Sequence, residues 1–356
     1  MPSAFTALPV IDISGLYSAD MDVRRQVASE MGTAARDSGF FYIAGHPIAR
    51  KRLDDLLVAA KTFFAQSPEA KMRHYIGGSD NHSGYVPAGE EGFYGQKPDR
   101  KEAFDVPPDV PADHPDVLSG KTPFLGPVQW PDDPVFRAVV KAYYEDISNL
   151  ARKLFQGFAL ALDMPETWFE AHLTNPPSQL RLIHYPYAAD APPDEPGIGA
   201  HTDYECFTIL LGTAPGLEVL NGAGDWIDAP PVEGAFVINI GDMLEAWTNG
   251  TFAATSHRVR KVKEERYSFP FFATCDYHTV VAPLPQFVAA GSEPKFEALV
   301  SGEHLLAQTA QTFAYLKTRI ANGTFKQPES ALALSSFGQE ARLRDASQEA
   351  VHQRDA

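Results

Sequence analysis

The stretch GIGAHTDYECFTILL, residues 197–211, decides how this chain folds. It opens on a glycine-rich turn, and the run from Cys206 to Leu211 carries the aromatic, β-branched and aliphatic residues of a strand. On extended backbone, residues i and i+2 project from the same face, so His201 and Asp203 point together. A third ligand from a neighbouring strand, such as His257, completes two imidazoles and one carboxylate on one side of an ion. That facial set leaves coordination positions open, as a non-haem Fe(II) centre requires.

Working outward, segments 179–185, 206–211, 217–220, 235–240, 257–263 and 267–274 are short, β-rich and separated by Gly, Pro, Asn and Asp. Such spacing predicts a sandwich or barrel of the jelly-roll kind. Upstream, 9–14 and 40–44 read as strands, and 20–37 and 50–66 as helices. Asp133-Pro134 reads as an N-cap with proline at N1, opening a long amphipathic helix to about residue 162. The Gly-, Pro- and Asp-rich stretch 77–134 reads as a long loop region, and loops of that length in compact proteins are commonly functional. Phe93, Tyr94 and Phe104 within it are candidates for lining a pocket, with core packing as the alternative; Glu102 and Asp105 read as a solvated face. A last helix at about 303–320 precedes a polar tail, 339–356. The expected fold class is α+β, a jelly-roll core flanked by N-terminal and C-terminal helices. The expected organisation is an N-terminal region at 1–120, helical support at 121–176, the core at 177–285 and a C-terminal helix and tail at 286–356, forming one compact unit.

Composition excludes several classes of function. Of 356 residues, 30 are Lys or Arg and 46 Asp or Glu, a net charge of -16, with no basic cluster of the kind nucleic acid or anionic membrane needs. Two cysteines, Cys206 and Cys275, are too few for a disulfide framework or a cysteine-based zinc site. The N-terminus lacks the pattern of a signal peptide, and no apolar run is long enough to span a membrane. A cytoplasmic protein acting on a small molecule is expected, with no nucleic-acid or membrane partner. Oligomeric state is left open.

The period-2 argument recurs at Arg266-Tyr267-Ser268, where guanidinium and hydroxyl face one way and suit a small carboxylate. Arg36-Asp37-Ser38 has the same spelling but falls at a predicted helix, where i and i+2 diverge. A second His-x-Asp, His114-Pro115-Asp116, lies in a proline-rich stretch without strand pattern and reads as surface loop.

With those residues in view, PVIDIS (9–14), DSGFFYIAGHPI (37–48), RLIHYPY (181–187), GIGAHTDY (197–204), VINIGDMLEAWTNG (237–250), TSHRV (255–259) and RYSFPFF (266–272) resemble the isopenicillin N synthase-like family. The resemblance implies a double-stranded β-helix core and an oxygenase using Fe(II), 2-oxoglutarate and O2. It implies His201, Asp203 and His257 as iron ligands, and Arg266, Ser268 and Tyr185 as the 2-oxoglutarate site. Where the family often has Asn-Tyr-Tyr-Pro, this chain has Ile183-His184-Tyr185-Pro186, which places His184 near the site as a substrate contact or a structural histidine. SGYVPAGEEGFYGQKPD (83–99) and GIGAHTDY also look like the bacterial ethylene-forming enzyme, making Glu91 and Tyr204 substrate-contact candidates. Gln311 stands where that pocket has an arginine. The leading reading is hydroxylation of a small molecule with release of succinate and CO2. The alternatives are an oxidase of the isopenicillin N synthase type that uses no 2-oxoglutarate, an ethylene-forming activity, a zinc hydrolase and a metal-free jelly-roll binding module.

Overall fold

The computed structural model describes residues 2–92, 100–187 and 197–326. Its strands are β1 (Val10–Asp12), β2 (Phe40–Ala44), β3 (Gly84–Val86), β4 (Glu102–Val106), β5 (Gln179–Tyr185) and β6 (Ile198–His201), followed by β7 (Phe207–Gly212), β8 (Leu217–Leu220), β9 (Trp226–Asp228), β10 (Phe236–Ile240), β11 (His257–Val259) and β12 (Arg266–Ala273), with a short separate pair, β13 (Val280–Val281) and β14 (Leu299–Val300). The helices are α1 (Met21–Asp37), α2 (Arg50–Phe64), α3 (Pro68–Met72), α4 (Pro115–Ser119), α5 (Pro134–Ala161), α6 (Asp242–Trp247), α7 (Ser301–Thr312) and α8 (Ala314–Ala321).

Two sheets build the core: an eight-stranded one in the order β1-β2-β10-β7-β12-β5-β4-β3, and a four-stranded one in the order β6-β11-β8-β9. Apart from the parallel β1–β2 pair, their ladders are antiparallel. The expected α+β fold, helices around a double-stranded β-helix core, is what the chain adopts.

The long helix α5 forms where capping and apolar spacing agree. Asp133 accepts hydrogen bonds from the N–H groups of Val135 (2.9 Å) and Phe136 (3.1 Å), and Pro134 sits at the first turn, as the sequence predicts for α5. Phe136, Val140, Tyr143, Ile147, Leu150, Leu154 and Phe158 then make a buried stripe three and four residues apart. The rings of Phe155 and Phe158 reach Phe207 of β7 at 4.7 and 5.1 Å between centroids, which seats the helix against the strand leading out of the candidate site. Between α1 and β2 the chain turns through Gly39 at φ +67°; a Cβ there would lie 2.0 Å from the Ala253 carbonyl oxygen, so only glycine fits.

Three expectations are corrected. The stretch 77–134 is not simply loop: it contributes β3, β4 and α4. Its β4 sequence, EAFDV, hides a strand because charged side chains are buried there with partners from elsewhere in the fold. Asp105 takes a bidentate pair from Arg181 (2.6 and 2.7 Å), its register partner on β5. Glu102 accepts from Lys71 (2.6 Å) and Tyr85 (2.5 Å) and meets His184 (2.8 Å). Neither carboxylate belongs to a solvated face, since pairing across the fold offsets desolvation. Phe104 packs in the core with Phe63 and Phe136, at centroid distances of 5.0 and 5.4 Å. The expected final helix is broken in two at Phe313, which adopts extended backbone and bridges to Glu91. Phe93, Tyr94 and the polar tail 339–356 lie outside the described residues. Among the described residues no helix is long and apolar enough to cross a membrane.

Candidate metal centre and its cavity

β6 ends at His201, and β11 begins at His257, its register partner across the small sheet. Asp203 follows two residues after His201. One carboxylate or imidazole atom from each of the three lies within 4.8 Å of the others. The Oδ1 atom of Asp203 is 3.6 Å from Nε2 of His201 and 3.6 Å from Nε2 of His257.

The surroundings fix which atoms face inward. Nδ1 of His201 lies 2.8 Å from the Gly199 carbonyl oxygen, and Nδ1 of His257 lies 3.2 Å from that of Thr255. An N–H directed to each carbonyl leaves the Nε2 lone pairs for an ion. Asp203 Oδ2 accepts from Asn239 (2.7 Å) and from the Thr208 hydroxyl, so Oδ1 is the atom offered inward. Burial, and then the neighbouring His201, push the His257 imidazole down to about 4. Burial also lowers His201. Against the penalty of burial, the two histidines hold the Asp203 carboxyl below its ordinary value. Neutral imidazoles and an ionised carboxylate, turned to one point, are the donor set a ferrous ion takes.

A cavity of about 120 Å³ opens beside this trio. β12 and β5 line one wall with Arg266, Ser268 and Tyr185. Arg266 is 2% exposed, its Nε donates to the Ala214 carbonyl oxygen (3.1 Å), and its guanidinium carbon stands 4.7 Å from the Tyr185 ring centre. Its Nη1 is buried without a hydrogen-bond partner, and no carboxylate pairs with it among the described residues. A buried guanidinium in that state calls for an anion.

The cavity is also lined by Glu91 and Tyr204, together with residues that the sequence reading did not single out: Lys101, Arg181 and Glu205. Arg181 was within reach of the alternation rule, since 181, 183 and 185 share a face of β5. Glu91 is 4% exposed, and its carboxylate is held by Lys101 and by Arg181 (2.7 Å). Burial, then the adjacent Asp203 and Asp242 carboxylates, push the Glu205 carboxyl up to about 8. His184, one residue before Tyr185, points to the other face. It stacks on Tyr267 at 4.7 Å and is held by Glu102 and Glu265 (2.8 and 3.0 Å), so it is not brought to the cavity. Gln311 bonds back to Ala307 within α7, while Thr309, Thr312 and Phe313 from the same end of the chain do line the cavity.

The second His-x-Asp behaves as a surface feature: His114 caps the short helix α4 and accepts from the Asp116 N–H at 3.2 Å. His114→Ala and Asp116→Ala are expected to leave iron content and turnover near wild type; metal analysis showing loss of iron from either would mean the wrong pair has been chosen.

His82 also lines the cavity, with its Nδ1 2.5 Å from the Tyr315 hydroxyl. Burial, and then the Arg181 guanidinium, push its imidazole down to about 3. The unfolded chain takes up this proton below about pH 6.5 whereas the folded chain does not, so stability is lost as pH falls from there towards 3. From pH 7 to pH 5 this one group should cost about 2 kcal/mol. Urea unfolding at both pH values is the measurement. His82→Asn, which tolerates the positive φ of 58°, should remove that share of the acid sensitivity; equal pH dependence in both proteins would refute the assignment.

Comparison with known proteins places this fold and site together. Residues 8–133 match the family described as non-haem dioxygenase in morphine synthesis N-terminal, and residues 176–274 match the 2OG-Fe(II) oxygenase superfamily. The chain is 35% identical over 332 residues to homoarginine-6-hydroxylase 2-ODD-233 of Oryza sativa subsp. japonica, across 88% of this chain and 99% of that protein. It is 34% identical over 304 residues to the 2-oxoglutarate-Fe(II) type oxidoreductase hxnY of Emericella nidulans, across 82% and 86% of the two chains. The crystal structure of a full-length Neurospora crassa protein in complex with alpha-KG and thymine superposes with a TM-score of 0.73 at 25% identity, covering 89% of this chain and 97% of that one. The chain therefore belongs to the 2OG-Fe(II) oxygenase superfamily. It is an oxidoreductase that uses Fe(II) and 2-oxoglutarate.

Proposed function

We propose that this oxygenase hydroxylates a small polar molecule, releasing succinate and CO2, with His201, Asp203 and His257 holding the iron. Arg266, Ser268 and Tyr185 receive the distal carboxylate of 2-oxoglutarate. The observation that carries this reading is the buried, carboxylate-free Arg266 guanidinium, with an unpartnered Nη1, on a wall of the cavity that the three candidate ligands share. A dianion whose 2-oxo acid end chelates the metal leaves one carboxylate to be anchored by protein, and Arg supplies a fork that is always charged. Ser268 stands two residues along β12 and Tyr185 opposite Arg266 on β5, so one patch of sheet offers all three groups.

Bound Fe(II) and 2-oxoglutarate supply the oxidising chemistry, coupling decarboxylation of the keto acid to the use of O2. The chain's own residues bind, orient and exclude water. Tyr204 and Glu91 border the space left for the substrate. Hydroxylation is supported by the relatives named homoarginine-6-hydroxylase, and a small polar substrate by the charged wall of Glu91, Lys101 and Arg181. The test is an anaerobic titration of the Fe(II) protein with 2-oxoglutarate, followed through the metal-to-ligand absorption band, then oxygen uptake with and without the cosubstrate. Equal uptake without 2-oxoglutarate would refute the reading.

A further inference from the structure

Glu91 lines the cavity, and the fold surrounds its carboxylate with the chain's own cations. The Lys101 ammonium donates to Oε2, and Nη2 of Arg181 stands 2.7 Å from Oε1, so each carboxylate oxygen has a charged donor. Arg181 is committed in turn to Asp105 through the bidentate pair at 2.6 and 2.7 Å. The result is a row, Lys101, Glu91, Arg181, Asp105, with two charges of each sign. Its members come from separate parts of the fold: Glu91 follows β3, Lys101 immediately precedes β4, and Arg181 lies opposite Asp105 on β5. Glu91 and Lys101 are each 4% exposed, and both line the cavity together with Arg181. Against the penalty of burial, Arg181 and Lys101 hold the Glu91 carboxyl down at about 2, so it stays ionised near neutral pH.

An ionised carboxylate on the wall of a substrate cavity is ordinarily a place for a cation. At Glu91 a ligand cation would find both oxygens taken. Joining the row would crowd three cations around one carboxylate, and displacing Lys101 would leave its ammonium buried without a counter-charge. An anion fares no better, because both cations are already paired and the carboxylates of Glu91 and Asp105 repel it. An uncharged hydrogen-bonding group meets neither penalty. We propose that Lys101 is a specificity-determining residue: its ammonium fills the place that a substrate's cation would take on Glu91, and the prime substrate presents an uncharged group to this wall. The assignment rests on reading the cavity as the substrate site. It gives the Lys101–Glu91 pair a part in selection beyond tying the loop after β3 to β4.

The experiment is calorimetric binding to the Fe(II)- and 2-oxoglutarate-loaded protein without oxygen, with cationic and neutral probes of matched size: n-butylammonium against 1-butanol, L-arginine against L-citrulline, and L-homoarginine against L-homocitrulline. In the wild-type protein no cationic probe should bind about tenfold tighter than its neutral partner. Lys101→Met keeps the apolar stem and removes the ammonium, which frees Oε2 of Glu91. It should bind at least one cationic probe about tenfold or more tighter than the wild type does, with the neutral partner little changed. Lys101→Ala is the second variant, and Lys101→Arg, which restores the charge, should return the wild-type pattern; a merely structural lysine would not move this selectivity. A tenfold cation preference already present in the wild type overturns the proposal, and that comparison decides alone should the variants fail to fold. So does an unchanged pattern in folded Lys101→Met and Lys101→Ala that bind 2-oxoglutarate normally. Failure of the wild-type protein to bind 2-oxoglutarate instead overturns the reading of the whole site.

Discussion

Arg266→Ala should weaken 2-oxoglutarate binding by about two to three and a half decades. Removing one partner of a buried charge pair costs about 3–5 kcal/mol, and each 1.4 kcal/mol is about tenfold in affinity. The guanidinium is 2% exposed, so in the variant the distal carboxylate would lose a fixed, always-charged partner at a buried position. Arg266→Lys should recover only part of the loss, because an ammonium lacks the planar fork. Ser268→Ala should cost less, about 0.5–1.5 kcal/mol for an ordinary hydrogen bond and up to about 3 for one to a charged acceptor. Iron content should survive all three changes, since neither residue is placed among the ligands. Titration of the Fe(II) protein without oxygen gives the affinities. Wild-type affinity in Arg266→Ala would remove the anchor from the proposal and return the oxidase alternative to consideration.

His201→Ala and His257→Ala should each abolish stoichiometric iron binding and turnover. The imidazoles sit across one register pair of β6 and β11, and each is turned by a carbonyl that receives its Nδ1–H. Deleting either leaves two protein donors, which rarely hold a labile ferrous ion. Because the carbonyl contacts fix ring orientation, Gln at either position should not rescue binding. Metal analysis after desalting reads iron directly, with circular dichroism to confirm folding. Full occupancy and rate in His257→Ala would sink the ligand assignment.

These expectations were unevenly legible in the sequence. His201-x-Asp203 and Arg266-x-Ser268 could be read because period-2 alternation is a local property of extended backbone. The long helix was readable at its start, where Asp133 and Pro134 carry the cap, and along its stripe of apolar residues. By contrast, β4 was hidden, because EAFDV has a strand's geometry without a strand's composition. Its charges are tolerated only because Arg181, Lys71 and His184 arrive from elsewhere in the fold. The break at Phe313 was likewise silent, since it answers to a bridge with Glu91 far away in the chain.

By itself, then, the sequence pointed to the α+β class and to His201-x-Asp203 and Arg266-x-Ser268 as candidate pairs, which follow from local periodicity and the chemistry of side chains two residues apart, while family resemblance supplied His257 as the third candidate ligand. Only the tertiary structure decided which charges meet. It neutralised Glu91 with Lys101 and Arg181, and turned His184 away from the cavity. The physical reason is that burial and charge compensation are properties of neighbours in space, and sequence spacing fixes direction only within a single element.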